Sequence, residues 1–121
     1  MRSPSTIMNY GLEDRKVITT DALATATQLK PHERNVTVIS TLGVATVYLP
    51  PVSECAGNIY SIVEILGTAD ITIKPFEYNS VPDGTILSAT AVASIVLTAA
   101  LDHVVLFSTG TYWIALKDIS T

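Results

Sequence analysis

The chain has 121 residues, enough for one domain with its own core. Seven Lys and Arg against eleven Asp and Glu leave a net charge of −4 with no basic cluster, which speaks against binding a phosphate backbone or an anionic membrane surface. Only 15% of the residues are charged, 48% are apolar and the mean hydropathy is +0.41, whereas soluble domains average about 25% charged residues. A small domain this short of polar cover is expected to bury part of its surface against copies of itself or a larger assembly.

Residues 1–16 stand apart from the rest. They hold Pro4, Gly11, the scattered apolar residues Ile7, Met8, Tyr10 and Leu12, and the cluster Glu13, Asp14, Arg15, Lys16. They read as an N-terminal arm with little structure of its own, followed by a single domain over 17–121. No apolar leader is visible in MRSPSTIMNYGLEDRK, and no run reaches the roughly 20 apolar residues of a membrane-spanning helix.

Asp21 to Leu29 (DALATATQL) fits a short helix with Asp21 as its N-cap. From Val36 onward the apolar period is close to two. Val36 and Val38 alternate with Thr37 and Ile39, and Val44, Thr46 and Tyr48 alternate with Ala45, Val47 and Leu49. Ile59 to Leu66, Ile71 to Ile73 and Ser94 to Thr98 continue the pattern, while His103–Phe107 and Tyr112–Leu116 are nearly unbroken apolar runs. Enrichment in Val, Ile, Thr and Tyr at this period predicts strands. The alanine-rich Ala89–Ala100 reads as strand through its β-branched residues, with helix as the alternative. Gly67–Asp70 and Ser108–Thr111 read as hairpin turns, and Pro82-Asp83-Gly84 is a turn signal. Several strands are apolar on both faces, so something beyond one sandwich core is expected to cover the second face.

Between two of these strands lies Leu49-Pro50-Pro51. Prolines cannot donate to a sheet ladder, so the strand from Val44 must stop there or lie on an edge. Ser53–Ala56 then fits one helical turn, and Gly57 fits a positive φ that closes it.

The chemistry-bearing residues are few. His32 lies in a polar turn and His103 opens an apolar run, with no cluster of further ligands around either, so no metal or other cofactor is expected. Cys55 has neither a base nor an activating charge beside it and reads as a small apolar filler. No nucleophile elbow and no glycine-rich phosphate loop occurs, so the chain does not read as an enzyme. Glu64, within Ile62-Val63-Glu64-Ile65-Leu66, reads as a solvent-facing or edge-guarding charge, with an intersubunit ion pair as the alternative. Tyr48, Tyr60, Tyr78, Tyr112 and Trp113 are expected mainly to pack in the core, with the Trp113 indole N–H on a backbone acceptor.

These segments together resemble a β-rich module of tailed-bacteriophage virion proteins, which occurs in head-decoration proteins, head fibres and tail-fibre segments. The matching parts are Thr46–Pro50, Gly57–Ile62, Ile71–Pro75, Asp83–Thr85 and Gly110–Trp113. Pro51 and the continuous run His103–Phe107 depart from that pattern. The expected fold is all-β, an antiparallel β-sandwich or small barrel of jelly-roll type. The resemblance implies a trimer and a structural role: a capsid decoration, or cement, protein made in the host cytoplasm and bound to the major capsid protein on the outer shell. Ile7, Met8, Tyr10 and Leu12 would anchor the arm on the shell. The alternative is a receptor- or carbohydrate-binding fibre module, with Tyr78, Asn79 and Asp83 as its glycan platform.

Overall fold

The computed structural model describes residues 14–20 and 24–120. It is all-β apart from one 3-10 turn at Val52–Cys55, and it contains no α-helix among the described residues. Six strands open the chain: β1 (Arg15–Thr19), β2 (Ala24–Gln28), β3 (Asn35–Ile39), β4 (Val44–Tyr48), β5 (Ile59–Glu64) and β6 (Ile71–Lys74). A two-stranded hairpin follows, β7 (Glu77–Tyr78) and β8 (Val81–Pro82). The chain closes with β9 (Thr85–Ser88), β10 (Thr90–Val92), β11 (Ile95–Leu97), β12 (His103–Ser108) and β13 (Tyr112–Ile119).

Two sheets share one core. The large sheet has the order β1-β3-β5-β12-β13-β9-β10 and the small sheet β11-β6-β4-β2. The inner residues of both, among them Val36, Val38, Ile62, Leu106 and Trp113 from one and Val47, Ile71, Ile73 and Leu97 from the other, belong to a single buried cluster. The expected sandwich is thus present, but its pairing is not purely antiparallel. β1, β3 and β5 run parallel, and so do β2, β4 and β6. Successive strands alternate between the sheets, so the first half of the chain winds as a flattened coil whose rungs stack side by side. Arg15 pairs with Asn35 and Ala24 with Val44, the same step of twenty residues in both sheets. The antiparallel part comes from the second half, where β12 pairs with both β5 and β13.

Three sequence expectations change accordingly. Ala24–Gln28 is strand rather than helix, because its Thr/Ala alternation finds a ladder on β4; Asp21 lies outside the described residues. Gly67–Asp70 is a crossover from the large sheet to the small one, not a hairpin. Arg15 and Lys16 belong to β1 rather than to the arm, and residues 1–13 lie outside the described residues. The root of that segment is tied down: the Asp14 carbonyl accepts the Arg34 and Asn35 N–H groups, and its carboxylate bridges the Arg34 guanidinium at 3.1 Å.

The proline link behaves as read. β4 stops at Tyr48, within the sheet rather than on its edge. The Gln28 amide donates to the Leu29 and Leu49 carbonyls, satisfying acceptors just where the ladder ends. The 3-10 turn follows, Gly57 takes φ +85°, and the link delivers the chain to β5 in the other sheet. Ser108 fastens it there: its hydroxyl donates to the Val52 carbonyl at 2.7 Å, and its carbonyl accepts the Gly57 N–H.

Candidate interaction surfaces

Burial separates the two outer faces. On the small sheet the outward positions mix Val44, Thr46, Tyr48, Thr72 and Lys74. On the large sheet they are mostly apolar. The registers place Ala91, Leu87, Ile114, Phe107 and Ile59 in one row across five strands, on the face opposite the buried Ile86, Trp113, Leu106 and Tyr60. Val105 and Val63 extend this patch on β12 and β5. Ile59 is 50% exposed, and Leu116, skipped by the ladder where the β12–β13 register shifts, is 57% exposed. Charge enters this face at Arg15 and Lys117. Contiguous apolar areas of this kind on a domain with few charges are a feature of protein–protein contact surfaces in general.

One end of the sandwich is apolar as well. Leu42, Leu66 and Leu101 are exposed on three loops that meet: the Thr68 N–H donates to Ser40, and the backbone around Ala99–Ala100 lies directly against Gly67.

The opposite end holds a cleft of about 590 Å³ between the 3-10 turn and the β7–β8 hairpin. Tyr78, Asn79 and Asp83, proposed from sequence as a glycan platform, line it together, with Pro51, Glu54 and Phe76. The hairpin turns through Asn79 (φ +50°) and Ser80 (φ +64°), a two-residue loop with both residues left-handed. The other aromatics are elsewhere. Tyr60 and Trp113 are fully buried and meet edge-on, with ring centres 5.3 Å apart and planes at 81°. The Tyr60 hydroxyl donates to the Pro31 carbonyl, and burial makes it a much weaker acid than an ordinary phenol. The Trp113 N–H, expected on a backbone acceptor, has none among the described residues.

Glu64 is the main correction among the single residues. It is fully buried on the inner face of β5, not open to solvent. Its Oε1 accepts the Ser40 hydroxyl at 2.9 Å, and Oε2 has no partner among the described residues. The hydrogen-bond partner it does have lies within its own chain. Burial holds its acidity weaker than the ordinary carboxyl; the Ser40 hydrogen bond works the other way, and the charges of Asp102 and Asp70 add to the shift. A carboxyl raised in the fold binds its proton more tightly there than in the unfolded chain. Its contribution is therefore fully present below pH 4.5 and is lost as pH rises through the folded value. Glu64→Gln keeps an acceptor for Ser40 and removes the buried charge. It is expected to raise stability near neutral pH by about 1–3 kcal/mol and to flatten the stability profile above pH 4.5. Denaturant titrations across that range test this; a variant whose profile runs parallel to that of the parent contradicts it.

The remaining residues singled out from sequence show no convergent chemistry. Cys55 is buried, and burial pushes its thiol up, away from nucleophilic use. His32 is exposed, His103 is on β12 with Nδ1 3.0 Å from the Leu101 carbonyl, and no metal-binding group of His, Cys, Asp or Glu occurs among the described residues. The arm residues Ile7, Met8, Tyr10 and Leu12 lie outside the described residues. No helix among the described residues is long and apolar enough to cross a membrane. Comparison of the chain with protein-family models, with curated proteins and with solved structures found no match.

Proposed function

We propose that this chain is a structural virion protein of a tailed bacteriophage, a capsid decoration protein that assembles as a homotrimer and binds the outer shell. The observation that carries the assembly is the apolar outer face of the large sheet, on a chain with 15% charged residues. The resemblance of Thr46–Pro50, Gly57–Ile62 and Gly110–Trp113 to virion β-modules supports the virion setting and the count of three.

Such a protein works by mass action. Contacts that exist only on the assembled shell stabilise the shell over its free subunits. A trimer multiplies weak footings into avid binding, provided that all three reach the surface together. The N-terminal segment is the proposed footing, with Ile7, Met8, Tyr10 and Leu12 as its apolar anchors. Asp14, the first described residue after it, is pinned by Arg34.

The test is co-sedimentation with capsid shells. Removal of residues 1–12 is expected to abolish shell binding and leave the oligomer mass unchanged. Undiminished binding would sink the assignment. Ile59→Glu paired with Ile114→Glu is expected to give the reverse, a folded monomer, because two carboxylates would be buried without partners in the interface.

A further inference from the structure

The geometry points to the cleft between the 3-10 turn and the β7–β8 hairpin as a binding site for a basic side chain, an arginine or lysine carried by a partner polypeptide. Three observations converge on it. The first is shape: a cleft of about 590 Å³, lined by Pro51 and Glu54 from the proline link and by Phe76, Tyr78 and Asp83 from the hairpin and its flanks. The second is the Tyr78 ring, 71% exposed on a hairpin tip held by two left-handed residues. Left-handed backbone at a residue other than glycine carries a cost. Here that cost goes into a turn whose first flanking residue is the exposed tyrosine. The third is charge. Neither the Glu54 nor the Asp83 carboxylate makes a hydrogen bond or ion pair among the described residues. Lys74, on the strand that leads into the hairpin, does not neutralise them: it bridges Glu77 at 3.2 Å and stands 6.0 Å over the Tyr48 ring.

An apolar floor, an open aromatic face and two carboxylates without a counter-charge complement a cation on a hydrocarbon stem. The stem of an arginine or lysine lies on Pro51 and Phe76, the charged head meets the carboxylates, and a guanidinium stacks on tyrosine. A neutral sugar uses the same aromatic face but asks more of the polar groups. Its hydroxyls need donors and acceptors fixed in direction, and carboxylates that nothing in the fold holds in place are not fixed. A cation is attracted from any angle, so unfixed carboxylates suffice for it.

The test is an amide chemical-shift titration of the intact chain with three probes: N-acetyl-arginine amide, its neutral isostere N-acetyl-citrulline amide, and methyl glucoside. Arginine is expected to shift Glu54, Tyr78, Asn79 and Asp83 along one saturable curve. Citrulline is expected to bind at least about tenfold more weakly, and Glu54→Gln with Asp83→Asn to weaken arginine binding by a similar factor. Tyr78→Ala is expected to weaken it as well, which separates a site from general attraction to an acidic surface. Arginine shifts that spread over the acidic surface without saturating would overturn the proposal. So would citrulline binding as tightly as arginine, and saturable glucoside binding would assign the cleft to carbohydrate instead.

Discussion

Trp113→Ala is expected to destabilise the fold by about 3–5 kcal/mol, the cost of emptying a large aromatic site in a core. Small domains have about 5–15 kcal/mol in all, so this one substitution removes a large share. Trp113 is fully buried, pairs in register with Ser108 on one side and Ile86 on the other, and packs edge-on against Tyr60. Tyr60 in turn ties β5 to the Pro31 carbonyl. Loss of the indole therefore loosens the junction between the coiled first half and the strands of the second half. Trp113→Phe is expected to cost clearly less. It keeps an aromatic ring against Tyr60 and removes an N–H that has no acceptor among the described residues. Denaturant unfolding of both variants checks this; equal losses would mean that the N–H is satisfied in solution.

Gly67→Ala carries the second large effect, about 2–5 kcal/mol from a left-handed residue and a steric clash together. Gly67 has φ +69°, and a Cβ there would stand 2.4 Å from the Ala100 nitrogen and 3.0 Å from the Ala99 carbonyl carbon. Both are backbone atoms, and that loop has little freedom to retreat. The Asp102 carboxylate accepts the Thr98 and Ala99 N–H groups, and the Leu101 N–H donates to the Glu64 carbonyl. Gly57 is the control. It has φ +85° but nothing within 4 Å of the added methyl, so Gly57→Ala is expected to cost only the backbone part, about 1–2 kcal/mol. Equal losses at the two positions would contradict the close approach at Gly67.

The strands were legible because period-two alternation is a local property of the chain. Val36–Ile39, Val44–Tyr48 and Ile59–Glu64 lie where that alternation puts them, and the proline link closes as its residues dictate. Pairing direction was not legible from alternation, because a strand's side chains alternate in the same way whether its neighbour runs parallel or antiparallel. A signal did exist. The stretch Val17–Pro31 aligns with Thr37–Pro51 at a step of twenty, matching Thr20 with Ser40, Leu29 with Leu49 and Pro31 with Pro51, and the ladders use that same step. A repeat of this length is the mark of a coil that stacks rungs. It also shows Ala24–Gln28 to be the counterpart of the strand Val44–Tyr48, which local helix signals hid.

Site residues divide by the same reasoning. The convergence of Tyr78, Asn79 and Asp83 followed from their closeness in the chain around a turn. Glu54 joins them through the proline link, a tertiary placement that no local pattern carries. Glu64 misled because a charge within an apolar run suggests an exposed face. Alternation counted from Tyr60 and Ile62 places it inward, beside Ser40 one rung away. The apolar outer face was anticipated as a property of several strands, but its continuity depends on register. Ile59, Phe107 and Ile114 come from three strands and form one row only once β12 sits between β5 and β13.

The central claim is that this face is an interface between copies of the chain. The most direct measurement is the solution mass by light scattering over a dilution series. A mass three times 12.9 kDa that persists on dilution is the predicted result. A mass of 12.9 kDa at every concentration would contradict the account, because it would show the outer row of Ile59, Phe107 and Ile114 standing in water without a partner copy.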